Sequence, residues 1–267
     1  MAHASTKPQD SPPQGILTKG VGGRSLLIDP AQPFAHDQDA IAVPSRLVQQ
    51  HALPEGASVW GPVRDGKRGP ELTGVDRICG LSPADFSART PFRQLVAIDP
   101  CQRFELAASG ELSTRIIDLI APIGKGQRGL IVSPPKAGKT TLLEQIAQGI
   151  RLSEPDTRIL VMLIDERPEE VTYFRRTVQA EVFASSSDRP QREQVALAEL
   201  MLAHIRTELE CGHDVAVLLD SLTRMSRLYN LQGPGRGRTL TGGLDAAALE
   251  IPRRFFGVAR NVENGGS

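Results

Sequence analysis

Aromatic residues are scarce in this sequence, at 4% of its 267 residues, with one Trp and two Tyr among them. Surfaces that hold nucleic-acid bases by stacking draw on such rings, so the composition argues against an extended stacking platform. Net charge is also missing: Lys plus Arg and Asp plus Glu both count 31. A polyanionic partner would therefore have to be met by local charge, not by the field of the whole chain. The cysteines number three, Cys79, Cys101 and Cys211. Widely separated and odd in number, they exclude a disulfide framework and a Cys-x-x-Cys metal site, and they fit a reduced intracellular setting. Each is expected as a core thiol. No run approaches the roughly 18 apolar residues of a membrane span, and residues 1–14 lack the apolar centre of a secretory signal. The expected location is cytoplasmic, with no membrane partner.

Residues 1–14 read as a disordered tail, with Pro8, Pro12 and Pro13 among polar residues. From 15 to 73 the apolar runs are strand-sized: Ser25-Leu26-Leu27-Ile28, Ala40-Ile41-Ala42-Val43 and Ser58-Val59-Trp60. Asp29-Pro30, Asp65-Gly66 and Arg68-Gly69-Pro70 separate them, a spacing that predicts a small β-barrel with Trp60 in its core or at its rim. Residues 74–112 form a connector broken by Pro83, Pro91 and Pro100. Residues 113–267 form a second unit, in which the period changes.

That unit is organised around Gly129-Leu130-Ile131-Val132-Ser133-Pro134-Pro135-Lys136-Ala137-Gly138-Lys139-Thr140-Thr141. A strand over 130–132, a tight loop and Gly-Lys-Thr opening a helix make the layout of a Walker A phosphate-binding loop. Backbone amides at the helix start would face phosphate oxygens, Lys139 would reach the β- and γ-phosphates, and the Thr140 hydroxyl would ligate Mg²⁺. The first glycine of that pattern is here Ser133. Just upstream, Gly124-Lys125-Gly126-Gln127-Arg128-Gly129 is a basic, glycine-spaced loop. It reads either as a solvated turn or as a ligand-approaching loop.

The helix after the loop carries Leu142, Leu143, Ile146, Ala147 and Ile150 on one face, and the run 159–164 is wholly apolar, as a parallel strand buried on both faces should be. A helix over 169–178, a short strand at 182–184, a long helix over 191–210 and a strand over 215–219 complete an alternating α/β pattern with a parallel sheet. Ligands gather at the carboxyl ends of such strands. Asp165-Glu166-Arg167 and Asp220 fall there. Asp220 reads as a Walker B acid, a helix N-cap or both; Glu166 reads as the orienter of an attacking water or as a solvated cap. A helix over 221–230 with Arg224 and Arg227 follows. Then the glycine-rich run Arg236-Gly237-Arg238-Thr239-Leu240-Thr241-Gly242-Gly243 is suited to gripping a phosphate backbone, or is merely a solvated loop.

Together with residues 124–141, four segments resemble the bacterial transcription termination factor Rho family: Leu163-Ile164-Asp165-Glu166-Arg167-Pro168-Glu169-Glu170-Val171, Leu218-Leu219-Asp220-Ser221-Leu222-Thr223-Arg224, Leu240-Thr241-Gly242-Gly243-Leu244-Asp245-Ala246 and Arg253-Arg254-Phe255-Phe256-Gly257-Val258-Ala259-Arg260-Asn261-Val262. The resemblance covers about residues 113–267. It implies a RecA-like P-loop ATPase core behind an OB/cold-shock-like barrel, working as a homohexameric, RNA-dependent ATPase that translocates along RNA and dissociates RNA polymerase elongation complexes. It implies ATP and Mg²⁺ as cofactors, with Gly124, Lys125, Gly126, Gln127, Arg128, Gly129, Lys136, Ala137, Gly138, Lys139, Thr140, Thr141 and Arg167 around the nucleotide. Glu166 would activate water, Asp220 would hold the metal shell, and Arg236 to Gly243 would meet RNA in a central channel.

The sequence departs from that family in places. Ser133 stands where the family usually has Ala, and Arg238 where it commonly has Lys. No Phe or Tyr stands at Gly20-Val21-Gly22-Gly23 or Asp39-Ala40-Ile41, where the family's barrel stacks bases. The sequence stops at Gly265-Gly266-Ser267 where the family continues through another strand, a second RNA loop and an arginine finger, so the core is expected to be incomplete. The expected function is an RNA-dependent ATPase; a nucleotide-binding but inactive homologue is the alternative, and a small-molecule kinase fits less well.

Overall fold

The computed structural model of the protein describes residues 15–33, 40–66, 69–134, 137–232, 239–240, 244–245 and 250–267. The tail at 1–14 lies outside them. The N-terminal strands are β1 (Gly15–Lys19), β2 (Ser25–Ile28) and β3 (Ile41–Val43); after helix α1 (Ser45–Gln50) come β4 (Ser58–Trp60), β5 (Val63–Gly66), β6 (Gly69–Leu72) and β7 (Arg77–Ile78). They form one seven-stranded sheet in the order β5-β6-β3-β2-β1-β4-β7. Every neighbouring pair is antiparallel except β3 with β6. Leu17, Leu27, Val43, Val59, Leu72 and Ile78 from across this ladder share one core, closed by Leu47 of α1 and Phe86 of α2 (Pro83–Ser87). Trp60 is half-buried, at the rim.

A connector with β8 (Ala97–Ile98) leads to the second unit, which opens with α3 (Leu112–Ile120). There α4 (Lys139–Ser153), β9 (Arg158–Glu166), α5 (Pro168–Thr177), β10 (Glu181–Ser186), α6 (Gln191–Glu210), β11 (Val215–Asp220) and α7 (Leu222–Gln232) alternate. The strands pair in parallel in the order β10-β9-β11. Side chains alternate across a strand, so β9 feeds two cores. Ile159, Val161 and Leu163 pack with Leu143 and Ile146 of α4 and Phe174 of α5. Leu160, Met162 and Ile164 pack with Leu197, Met201 and Ile205 of α6 and Met225 of α7. A continuous apolar run is what a strand covered on both faces requires. Short strands β12 (Thr239–Leu240) and β13 (Leu244–Asp245) pair with each other; after α8 (Glu250–Val258), β14 (Asn261–Val262) pairs with β8.

Helix α6 joins the two units. Ile16 of β1 turns away from the N-terminal core and joins the α6 side of the second unit's core, while its neighbour Leu17 faces the N-terminal one. Gly56 lies against the helix backbone: a Cβ there would sit 2.4 Å from the His204 nitrogen. The Gly56 carbonyl accepts from His204 Nδ1 at 2.8 Å. One turn on, Glu208 is fully buried. It meets the Arg158 guanidinium at the start of β9, accepts from His213 Nδ1 at 2.6 Å, and accepts from the Ser58 hydroxyl of β4 at 3.5 Å. Burial opposes its charge, but Arg158 and His213 bring its carboxyl well below the ordinary range.

Two sequence expectations are corrected. Residues 130–132 form no strand; Leu130 is 67% and Val132 84% exposed. Among the described residues β11 hydrogen-bonds only β9 as a strand neighbour, so this apolar segment has no sheet to bury against. Cys101 is exposed, not a core thiol, because it lies on the irregular connector; Cys79 is buried and Cys211 half-buried. Helix α3 leaves Leu112, Leu119 and Ile120 more than 70% exposed.

Glu208→Gln is expected to cost about 1–3 kcal/mol, the usual cost of weakening a buried hydrogen-bonded charge, since Arg158 loses one carboxylate partner and keeps Glu181. Because the folded carboxyl titrates below its unfolded value, its stabilisation is complete above that unfolded value and lost as pH falls through the folded one. Urea denaturation at neutral and acidic pH checks both; equal midpoints for variant and wild type at neutral pH would refute it.

Candidate functional site

The carboxyl ends of β9 and β11 and the start of α4 converge. Gly138 precedes α4 with φ 86°, a left-handed conformation that suits glycine, and no side chain caps the helix. The first turn carries no acidic residue, so its free amides and the positive end of the helix dipole are open to an external anion. Lys139 opens the helix and its ammonium contacts Asp220, which ends β11 with a side chain only 2% exposed. Thr140 shares that first turn and is half-buried, while Ala137 and Thr141 are exposed. Lys136 lies outside the described residues.

Glu166 ends β9 and is 2% exposed. The strand is irregular here: Asp165 takes φ 55°, and the register with β10 shifts between Ser185 and Ser186. A left-handed aspartate is uncommon but tolerated. Its carbonyl accepts from Arg224 Nη1, and Arg224 Nη2 pairs with Glu166 Oε1 at 2.9 Å. Burial pushes the Glu166 carboxyl up to about 7; Arg224 works against that, and Glu170 and Asp220 add to it. Arg167 begins α5 with an exposed side chain, and its amide donates to Glu166 at 3.4 Å. Arg224 is the partner of Glu166 that reading the helix pattern alone overlooks. Its signal is the spacing from Asp220: four residues place a cation one helical turn past a strand-tip acid.

The structure does not bring the 124–129 loop to Lys139. Lys125 Nζ donates to Asp214 at 2.9 Å and to Glu154 at 3.1 Å. Asp214 precedes β11 and Glu154 closes α4, so both lie at the ends away from Asp220 and Lys139. The 15 residues of α4 span about 22 Å. Burial works against the Lys125 charge, but the two carboxylates outweigh it and raise its pKa. Gly126 takes φ 81° and packs on the Arg260–Asn261 backbone, where a Cβ would come within 2.2 Å of the Asn261 nitrogen. Gly124 donates its amide to Gln127 Oε1 at 2.7 Å, Arg128 reaches the Phe256 carbonyl at 3.5 Å, and Gly129 is exposed. Of the expected RNA loop, Thr239 and Leu240 form β12; Arg236, Gly237, Arg238, Thr241, Gly242 and Gly243 lie outside the described residues.

No group of three or more His, Cys, Asp or Glu side chains among the described residues could enclose a metal. That donor set still fits Mg²⁺ arriving with a nucleotide, since this ion keeps most of its waters and takes few protein ligands. The uncapped α4 amides, Lys139 and the buried Asp220 carboxylate suit a phosphate–Mg²⁺ pair.

The ATP synthase alpha/beta family, nucleotide-binding domain, matches residues 113–237. Transcription termination factor Rho of Streptosporangium roseum is 49% identical over 229 residues, covering 86% of this chain and 58% of that protein. The Chromobacterium violaceum protein of the same name is 42% identical over 261 residues, covering 95% of this chain and 62% of that protein. The chain spans 32% of the Streptomyces lividans relative's length, so it matches part of each of these proteins. Among solved structures, an ATPase from the type III secretion system of pathogenic bacteria superposes with a TM-score of 0.56 at 24% identity, covering 77% of this chain and 56% of that one. That likeness concerns the fold alone; the nucleotide-binding character of the second unit rests on the family match at 113–237. No helix among the described residues is long and apolar enough to cross a membrane.

A carboxyl at about 7 instead of the ordinary 4.5 binds its proton more tightly in the folded protein. Ionising Glu166 therefore lowers stability progressively as pH rises through that window. Glu166→Gln keeps a hydrogen-bond acceptor for Arg224 without the charge. The variant should match wild type near pH 4.5 and exceed it in stability above pH 7. Denaturation midpoints across that range are the measurement, and identical pH profiles would rule out the raised carboxyl.

Proposed function

We propose that this chain, which resembles transcription termination factor Rho along most of its own length, carries the ATP-hydrolysing part of an RNA-dependent translocase acting in transcription termination. The observation that carries the reading is the meeting of Lys139, Asp220 and Glu166 at one end of the β10-β9-β11 sheet. ATP bound here would supply the phosphoanhydride, with Mg²⁺ to neutralise its charge. The α4 amides and Lys139 hold phosphate oxygens, and Lys139 leaves Asp220 to do so. Asp220, released, would serve with the Thr140 hydroxyl to hold Mg²⁺, which would neutralise phosphate charge there. Glu166 orients the attacking water and takes its proton; a carboxyl near 7 suits a general base at neutral pH. Arg224 keeps that carboxylate aimed at the site. Arg167 follows Glu166 in the chain, caps the start of α5, and would contact the nucleotide.

In this reading residues 15–73 are an OB/cold-shock-like RNA-binding barrel, 74–112 its connector and 113–267 the RecA-like unit. Arg236 to Gly243 contact RNA in the channel of a homohexamer, and the RNA polymerase elongation complex is the target, in the cytoplasm. The 124–129 loop lies a helix length from Lys139, so its part in nucleotide binding within one chain is structural support of α4 and β11. The exposure of Leu130 and Val132 favours a second reading for the isolated chain: the phosphate loop has no strand behind it, so it binds ATP without turning it over.

Mg-ATP binding and phosphate release, each with and without oligocytidylate, separate these readings. Lys139→Ala should weaken Mg-ATP binding about 10- to 100-fold, the loss of one or two charge-assisted hydrogen bonds. Glu166→Gln should keep binding and lower any turnover by about 10²–10⁴-fold. Unchanged affinity in Lys139→Ala would dismiss the site, and turnover indifferent to RNA would dismiss the motor. Binding without turnover by the wild-type chain selects the second reading.

A further inference from the structure

Arginines collect on the side of the molecule away from Lys139. Arg206 lies on α6 one turn before its end, Arg254 on α8, Arg260 just before β14, and Arg93 in a short 3-10 turn (Phe92–Gln94). Glu210 fixes that turn to α6: it accepts from the Phe92 amide at 2.9 Å and from Arg89 Nε at 2.9 Å. The Arg260 guanidinium then lies 4.1 Å above the Phe92 ring and that of Arg206 lies 5.5 Å from it. Arg206 sits 15 residues into α6, about 22 Å from the helix start that follows the carboxyl end of β10. ATP held at Lys139 does not reach it.

The cluster is short of counter-charge. Burial lowers the Arg206 pKa, and the charges of Arg254, Arg260 and Arg93 lower it further. Among the described residues none of these four forms an ion pair with a carboxylate. Glu210 is already engaged by Arg89, and Glu199 acts on the Tyr229 phenol, as Arg254 also does. The Nε atoms of Arg206 and Arg260 are shielded from solvent without a hydrogen-bond partner. Guanidinium groups held together against their repulsion, with donors to spare, are stabilised by a ligand that brings several negative charges at once. Their planar forks match phosphate oxygens. With guanidinium groups already on the Phe92 ring, the cluster offers charge and not a stacking surface, so it would grip a strand without reading bases.

We propose that the arginines around Phe92 form a contact for the phosphodiester backbone of single-stranded RNA, separate from the glycine-rich loop of Arg236 and Arg238. The proposal rests on the RNA-dependent reading above but on different residues. The test is fluorescence anisotropy of a labelled oligouridylate against the whole chain over a salt series. Arg93→Gln with Arg254→Gln removes two exposed cations, and thermal unfolding checks that the fold is kept. The slope of log affinity against log salt should fall by about 0.7 for each lost phosphate contact on single strands, hence by about 1.4 in the double variant. An unchanged slope and affinity, with binding lost only in Arg236→Gln/Arg238→Gln, overturns this contact and leaves the RNA reading standing. Absence of RNA binding by wild type overturns both. Polyglutamate competing as well as RNA at equal charge also overturns it, by assigning the face to an acidic protein surface.

Discussion

The buried ion pair of Glu208 with Arg158 is the constraint on which the rest of this structure depends. A carboxylate with no solvent is tolerable only with its charge matched and its oxygens occupied. Arg158 supplies the charge, and His213 and Ser58 take further oxygen contacts. These partners come from three places: the start of β9, the turn before β11, and β4 of the N-terminal sheet. One side chain of α6 thus ties the two units together and sets where the central strand begins. Arg158 is itself shared with Glu181 at 2.5 Å, the first residue of β10, so all three parallel strands are referenced to the same end of the helix.

From that end β9 runs about 30 Å to Glu166, nine residues at strand rise. Its interior is apolar on both faces and permits no slip, because a shift by one residue would exchange its two cores. Glu166 is delivered to the tip by this fixed register. At the tip the irregularity at Asp165 turns the last side chain inward toward Arg224, where burial raises its proton affinity. The amino end of the sheet is held by paired charges; the carboxyl end holds the left-handed Asp165 and the half-exposed lysine. That division is the usual one in open α/β sheets, where ligands meet the carboxyl ends.

The long helix was legible in the sequence to its boundaries, since Leu197, Met201, Ile205 and Leu209 recur every fourth residue over more than three turns. The run at 159–164 was equally legible, as was the glycine that starts α4. Residues 130–132 were not: they look like a strand by composition, but a strand exists only where backbone partners do. The basic loop at 124–129 misleads for a related reason. It is near Lys139 in sequence, yet the chain between them must climb from one end of the sheet to the other. Arg224 was visible as a residue but not as a partner of Glu166, because that pairing crosses from α7 to β9.

Sequence by itself determined the alternation of strands and helices, the buried faces, and the candidate phosphate loop with its acids at strand tips. Periodicity and glycine or proline chemistry are local, so they survive without coordinates. Only the tertiary structure decided which charges meet: that Lys139 faces Asp220, that Lys125 is engaged by Asp214 and Glu154, and that arginines gather around Phe92. Charge pairing depends on through-space distance across elements far apart in the chain, and no spacing rule encodes it.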